Sequence, residues 1–171
     1  MISEISYSKD SIFAQSIPMI PKRSKYAIKA LTCLAKVYRD KQHLSIATIA
    51  DQEKIPRKFL EAILLQLRNE GLVASKMGAN GGYFLIRHPD EIMLSAIIRS
   101  TGGPISLLPC VSLNFYEECE ECPHEEICGL HQVMREVREA SIHILSKTSL
   151  ADIILREKKL ARKFPELTAG K

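Results

Sequence analysis

No stretch of this chain of 171 residues approaches the roughly 18 uninterrupted apolar residues that a membrane span requires, and Lys and Arg recur throughout. The opening MISEISYSKD has neither the basic start nor the apolar core of a secretory signal. These absences predict a cytoplasmic protein with no membrane association. Disorder of the whole chain is excluded as well, because 46% of the residues are hydrophobic and 26% charged, the balance of a globular protein. The length holds one domain of ordinary size, or a small domain with an appendage. Cysteine is scarce but not scattered. Of five, positions 110, 119, 122 and 128 fall within 19 residues, and only Cys33 stands apart. In a reducing compartment such a group reads as metal or redox ligands rather than disulfides.

Charge is as unevenly placed as sulfur. The formal net charge is +4, yet residues 22–100 carry 14 Lys or Arg against 7 Asp or Glu, and residues 101–139 carry 2 against 8. Residues 140–171 turn basic again, with 7 against 3. A basic block beside an acidic, Cys-rich block implies that one part faces a polyanion and the other does something else.

The basic block predicts a fold. Ala27, Ala30, Leu31, Leu34 and Tyr38 recur at helical spacing over residues 24–39, with Cys33 inside as a small core residue. Ser45 is a natural N-cap for a short second helix, Ile46 to Glu53. After a break at Lys54-Ile55, Pro56 opens a third helix. Its buried stripe is Phe59, Leu60, Ile63, Leu64 and Leu67, and Gly71 sits where a left-handed C-cap belongs. Leu72–Lys76 and Tyr83–Ile86 read as two strands around a turn containing Asn80-Gly81. A helix-turn-helix followed by a hairpin is a winged helix. The glycine-rich tip lacks the Gly-Lys-Ser/Thr ending of a phosphate-binding loop and opens no helix, which argues against a bound nucleotide.

In such a module the third helix enters the major groove of double-stranded DNA. Its solvent face offers Arg57, Lys58 and Glu61 early, with Gln66 and Arg68 further along. Lys76 lies on the wing, and Lys22, Arg23 and Lys25 cluster at the start of the first helix. Arg57 and Lys58 suit phosphates or guanine edges, and Glu61 can accept from cytosine. A charged helix face is ordinarily just solvated. The helix-turn-helix context is what assigns these residues to DNA.

The acidic block runs C-x8-C-x2-C-x5-C-x2-H, ending at His131. Thiolates are soft ligands that suit iron–sulfur clusters and zinc, and imidazole completes either set. Cys119-Glu-Glu-Cys122 is also a CxxC, as in zinc ribbons, and spacing does not separate the two metals. A thiol–disulfide enzyme is the third reading. No βαβ pattern surrounds the CxxC, however, and Glu117, Glu118, Glu120 and Glu121 would blunt thiol reactivity. No enzymatic activity is therefore expected. From Gly129, the residues Leu130, Val133, Met134, Val137, Ala140, Ile144 and Leu145 repeat at helical spacing. A long helix trailing a compact winged helix has little of its own domain to cover, so a partner helix in a dimer is the expected cover. Ser149 to Asp152 has capping-box character and starts a last helix to about Lys163.

Taken together, Tyr26-Ala27, the run Leu67-Arg68-Asn69-Glu70-Gly71-Leu72-Val73, the Gly81-Gly82-Tyr83 wing and the cysteines after Gly102-Gly103-Pro104 carry a resemblance. Over roughly residues 20–150 the chain resembles the bacterial Rrf-type winged-helix transcriptional regulators, the IscR/NsrR group. The resemblance implies a mainly α fold with a small β wing and a long C-terminal dimerisation helix. It implies a homodimer on a palindromic operator, with DNA binding controlled in many members by an iron–sulfur cluster. The end of the motif, Cys122-x5-Cys128-x2-His131, is similar to the three-Cys, one-His ligand set of the cluster regulators. Their first ligand lies about six residues before the second, where this chain has Tyr116. Cys110 is taken as that ligand, with Cys119 as the alternative. Such a set points to [2Fe–2S], with [4Fe–4S] and zinc also open. The same family switched by zinc or by thiols without a cluster is the runner-up. One departure is Met77, where the cluster regulators often place an Arg before the first wing glycine; Lys76 stands one place earlier.

The expected layout is a disordered extension over 1–19, a winged-helix domain over 20–104, a Cys-rich cluster loop over 105–128, a dimerisation helix over 129–147, and a final helix and tail over 148–171. Met19 stands where chains of the family usually begin, so residues 1–18 read as an extension or an over-long gene model.

Overall fold

The computed structural model describes residues 20–78, 81–122 and 124–167. Three helices come first: α1 over Lys22–Lys36, α2 over Ile46–Glu53 and α3 over Arg57–Asn69. An antiparallel hairpin follows, β1 over Val73–Lys76 and β2 over Gly82–Leu85, and then α4 over Leu94–Ser100. Short 3-10 turns at Pro109–Val111 and Glu125–Ile127 bracket the Cys-rich loop, and α5 (Gly129–Ser146) and α6 (Leu150–Lys163) end the described chain. This is a mainly helical winged helix with a two-stranded wing. Helix α4 is the element the sequence pattern does not announce, because seven residues are too few to display a helical period. The expected 1–19 extension and Asn80 of the wing turn lie outside the described residues.

Local chemistry explains the boundaries. The Ser45 hydroxyl accepts the Thr48 N–H at 3.0 Å and caps α2. The turn into α3 runs through Lys54 at φ 53, so a lysine adopts the left-handed conformation that glycine usually supplies. Pro56 is the N-cap of α3 rather than its first helical residue, and Gly71 leaves that helix at φ 69. Leu60, Ile63, Leu64 and Leu67 are buried as their spacing requires. Phe59, expected in the same stripe, is instead 40% exposed. Its ring meets Tyr26 edge-on at 5.7 Å, which ties the first turn of α3 to the first turn of α1. In the wing, Tyr83 donates to and accepts from the Leu44 backbone at 2.8 and 3.0 Å. Gly82 stands beside that contact at φ 147, and a Cβ there would lie 2.5 Å from the Leu44 carbonyl oxygen. Only glycine fits.

The core forms around α1. Ala27, Ala30, Leu31, Cys33 and Leu34 are buried with Leu60, Ile63, Leu64 and Leu67 of α3 and Ile97 of α4. The last helix belongs to this core too. Leu150 is fully buried, its N–H donates to the Ile92 carbonyl at 3.0 Å, and Ser149 and Asp152 form the expected capping box. Helix α5 differs, for none of its residues is buried. Leu130, Val133, Val137, Ala140 and Ile144 are exposed at alternating spacings of three and four, the seam of a coiled coil. Met134, Arg138, Ser141 and Leu145 are half-buried on the other side. Among the described residues, no helix is long and apolar enough to cross a membrane.

Leu150→Ala should destabilise the whole domain by about 2–5 kcal/mol, the usual range for a fully buried leucine. Equilibrium denaturation checks this, and an unchanged midpoint would show that α6 is not part of the winged-helix core.

Candidate functional site

Two surfaces carry the sequence-predicted residues. The first is the exposed side of α3. Arg57 Nε lies 3.4 Å from Glu61 Oε1, one turn along the helix, so these two side chains engage each other. Lys58 is exposed and makes no ion pair among the described residues. Because Tyr26 and Phe59 join the two helix starts, the exposed Arg23 and Lys25 of α1 lie at the same end of the module as Arg57 and Lys58. Lys76 is exposed where β1 ends, beside Met77, which is 98% exposed. Gln66 does not join this face. Its amide donates to the Ser100 carbonyl and so braces α3 against α4. The start of α3 has no side-chain cap, so the N–H groups of its first turn keep their positive potential available for an anion.

The second surface is the Cys-rich loop. It starts at the turn Pro109–Val111, which holds Cys110, and ends where Cys128 becomes the N-cap of α5. The Cys128 sulfur accepts the His131 N–H at 3.4 Å. Cys122 points its S–H at the Cys128 sulfur, 3.5 Å away. The Cys119 carbonyl accepts the Cys122 N–H at 3.2 Å. These three thiols form one group. Cys110 feels the Cys119 and Cys128 sulfurs, and its sulfur, a Glu125 carboxylate oxygen and a ring nitrogen of His131 all lie within 4.8 Å of one another. His131 Nδ1 is 3.6 Å from Glu125 Oε2 and is buried without a hydrogen-bond partner among the described residues. Nothing in the sequence marks Glu125 among the acidic residues of this block. Its position six residues before His131 carries no motif.

The thiols respond to this arrangement. Hydrogen bonding of the Cys122 S–H to the Cys119 and Cys128 sulfurs pushes its pKa up to about 12. Cys128 moves the other way, held below the usual thiol value by the His131 N–H and then by the Cys122 S–H. Partial burial, followed by the negative charge of Glu125, raises Cys110. The loop is tied to α5 at both ends, because Arg138 Nη1 also donates to the Val111 carbonyl at 2.6 Å. Helix α5 in turn packs on α4, and α4 reaches α1 through the Thr101 hydroxyl, 2.7 Å from the Ser24 hydroxyl.

Residues 20–156 match the family model described as "Rrf2: Iron-dependent Transcriptional regulator". The chain is similar to a putative HTH-type transcriptional regulator, rrf2-like, of Rhodobacter capsulatus. The two are 40% identical over 138 residues, 80% of this chain and 92% of that protein. It is also similar to the HTH-type transcriptional regulator NsrR of Geobacillus kaustophilus, at 29% identity over 77% of this chain and 86% of the relative. Among solved structures it resembles CymR, titled the global cysteine regulator of B. subtilis, with a TM-score of 0.64 and 30% identity. That match covers 79% of this chain and 95% of CymR.

In metal-free protein near pH 8, iodoacetamide should modify Cys128 well before Cys122, since the thiolate is the nucleophile and Cys122 holds its proton to about 12. Peptide mass spectrometry at short times reads the order, and equal labelling would contradict this hydrogen-bonding scheme.

Proposed function

The chain belongs to the Rrf2 family of transcriptional regulators, and from that premise we propose a DNA-binding homodimer whose Cys-rich loop holds an iron–sulfur cluster that controls operator binding. The observation that carries the reading is the position of the soft donors. Cys110 and Cys128 stand at the two ends of a loop whose ends are fastened to α5 by Arg138 and by the Cys128 cap. Cys122 and Cys128 supply a sulfur pair, and Cys110 and His131 a sulfur–nitrogen pair; together they are the four ligands a two-iron cluster takes. The donor chemistry fits: three thiols suit iron, and His131 Nδ1 is buried without a hydrogen bond among the described residues. A cluster, when bound, supplies one-electron and ligand-exchange chemistry at iron, sensitive to small oxidants.

The protein's own groups supply the rest. Lys58 and the uncapped start of α3 meet phosphates, and Arg57 and Glu61 face base edges once their mutual pair opens. Arg23, Lys25 and Lys76 extend the basic contact toward the flanking backbone. Leu130, Val133, Val137, Ala140 and Ile144 pack against the same stripe of a second copy, and the symmetric dimer sets the two α3 helices on half-sites of a palindrome. Ligation at Cys110 and Cys128 alters how the loop holds α5. The change passes through α4, whose Ser100 carbonyl is braced by Gln66 of α3, and so biases the pose of the reading helices. A second reading, a switch made of thiols alone, is favoured by the 3.5 Å approach of Cys122 and Cys128 and by the likeness to the cysteine regulator CymR.

Anaerobic purification with iron and acid-labile sulfide analysis separates the two. The cluster reading expects coloured protein with both elements near two per chain (a [2Fe–2S] centre), and colourless material free of both would leave the thiol switch. Lys58→Ala should weaken DNA binding evenly across operator sequences and lower the log–log salt slope by about 1; an unchanged slope would remove Lys58 from the contact.

A further inference from the structure

The loop contains a donor set that the cluster reading does not use as a unit. We infer that Cys110, Glu125 and His131 form a site for a single divalent transition-metal ion, distinct from the sulfur pair of Cys122 and Cys128. The inference shares Cys110 and His131 with the proposed cluster but stands on different geometry.

Their three donor atoms lie within 4.8 Å of one another. With metal–ligand bonds of about 2.0–2.3 Å, two ligands of a tetrahedral ion sit roughly 3.5 Å apart. Glu125 Oε2 and His131 Nδ1 are already 3.6 Å apart, so only Cys110 has to draw in. His131 Nδ1 is buried with no hydrogen-bond partner among the described residues, an arrangement that costs free energy until something binds the nitrogen. The carboxylate is held ready by a neighbour. Oε1 accepts the Cys119 N–H at 3.4 Å. Such outer contacts orient a metal ligand and tune its affinity.

One thiolate and one carboxylate neutralise a divalent ion, and a mixed S, N, O set suits zinc, iron or cobalt in the divalent state rather than a sulfide cluster. Three protein ligands leave a fourth position for water or an exchangeable group, unlike a closed structural site. The sulfur pair lies outside this set. The single ion and the cluster therefore compete for Cys110 and His131, each recruiting a different remainder: Glu125 for the ion, Cys122 and Cys128 for the cluster. The loop thus has a metal-loaded state that holds no cluster.

Anaerobic titration of the full-length apoprotein with Co²⁺, followed by its visible absorption, tests this beside iron–sulfide reconstitution of the same samples. Unaltered protein should bind one Co²⁺ per chain with tetrahedral bands. Glu125→Gln should weaken Co²⁺ binding by at least about tenfold yet reconstitute normally. The double variant Cys122→Ser with Cys128→Ser should bind Co²⁺ like the unaltered protein and take up no cluster. Undiminished Co²⁺ affinity in Glu125→Gln overturns the inference, as does loss of Co²⁺ binding in the double variant or equal loss of both ligands in Glu125→Gln. Failure of the cluster reading looks different: no sample reconstitutes, while the cobalt pattern holds and supports the separate site.

Discussion

Helix α1 is enclosed by α3, α4 and α6 together, and its buried face mixes small residues with the leucines Leu31 and Leu34. Ser24, Ala27, Ala30, Cys33 and Ala35 are all buried, and none carries more than one heavy atom beyond Cβ. Leucines of the neighbouring helices share one core with them, and each fully buried one contributes roughly 1.5–3 kcal/mol. The close fit fixes the attitude of α3, since the Tyr26–Phe59 contact and the Gln66 amide hold its two ends against α1 and α4. A recognition helix is useful only if its exposed side is held still. Here that rigidity comes from packing on the opposite side.

The Cys-rich loop obeys the reverse logic. It buries little apolar surface, and Leu113, Phe115, Tyr116 and Ile127 are all exposed. Its internal bonds join sulfur to sulfur and carboxylate to imidazole rather than hydrocarbon to hydrocarbon. Like charge is concentrated there, and His131 Nδ1 has the Glu125 carboxylate 3.6 Å away but no hydrogen bond among the described residues. A segment built this way gains little from its own contacts and much from a cation, so its conformation follows its occupant. Fastening both ends to α5 turns that local dependence into a property of the helix that also displays the exposed seam.

Much of this was legible in the chain itself. Ser45, Gly71, Ser149 and Asp152 are capping signals whose effect is confined to a few residues, and the structure places each where the spacing indicates. The wing was equally plain, from the Asn80-Gly81 turn signal between two strand-like runs. Other features were not. Gln66 and Phe59 sit at helical positions that a periodicity argument assigns by angle alone, and each was turned by a partner from a distant segment, Ser100 in one case and Tyr26 in the other. Helix α4 is too short to show a period. Glu125 could not be told from its acidic neighbours, because only folding brings it to Cys110 and His131.

By itself, the sequence determined every helix but α4, the caps at Ser45, Gly71 and Ser149, the wing and the inventory of soft donors, since these depend on residue type and on neighbours within one or two turns. Tertiary structure alone decided how the donors meet, with the Cys122 S–H on the Cys128 sulfur and with Cys110, Glu125 and His131 within 4.8 Å of one another. It also decided which apolar residues of α5 face inward, Met134 and Leu145 among them, and which stay exposed. Both are questions of distance between segments far apart in the chain, and pairwise packing, not local propensity, sets that distance.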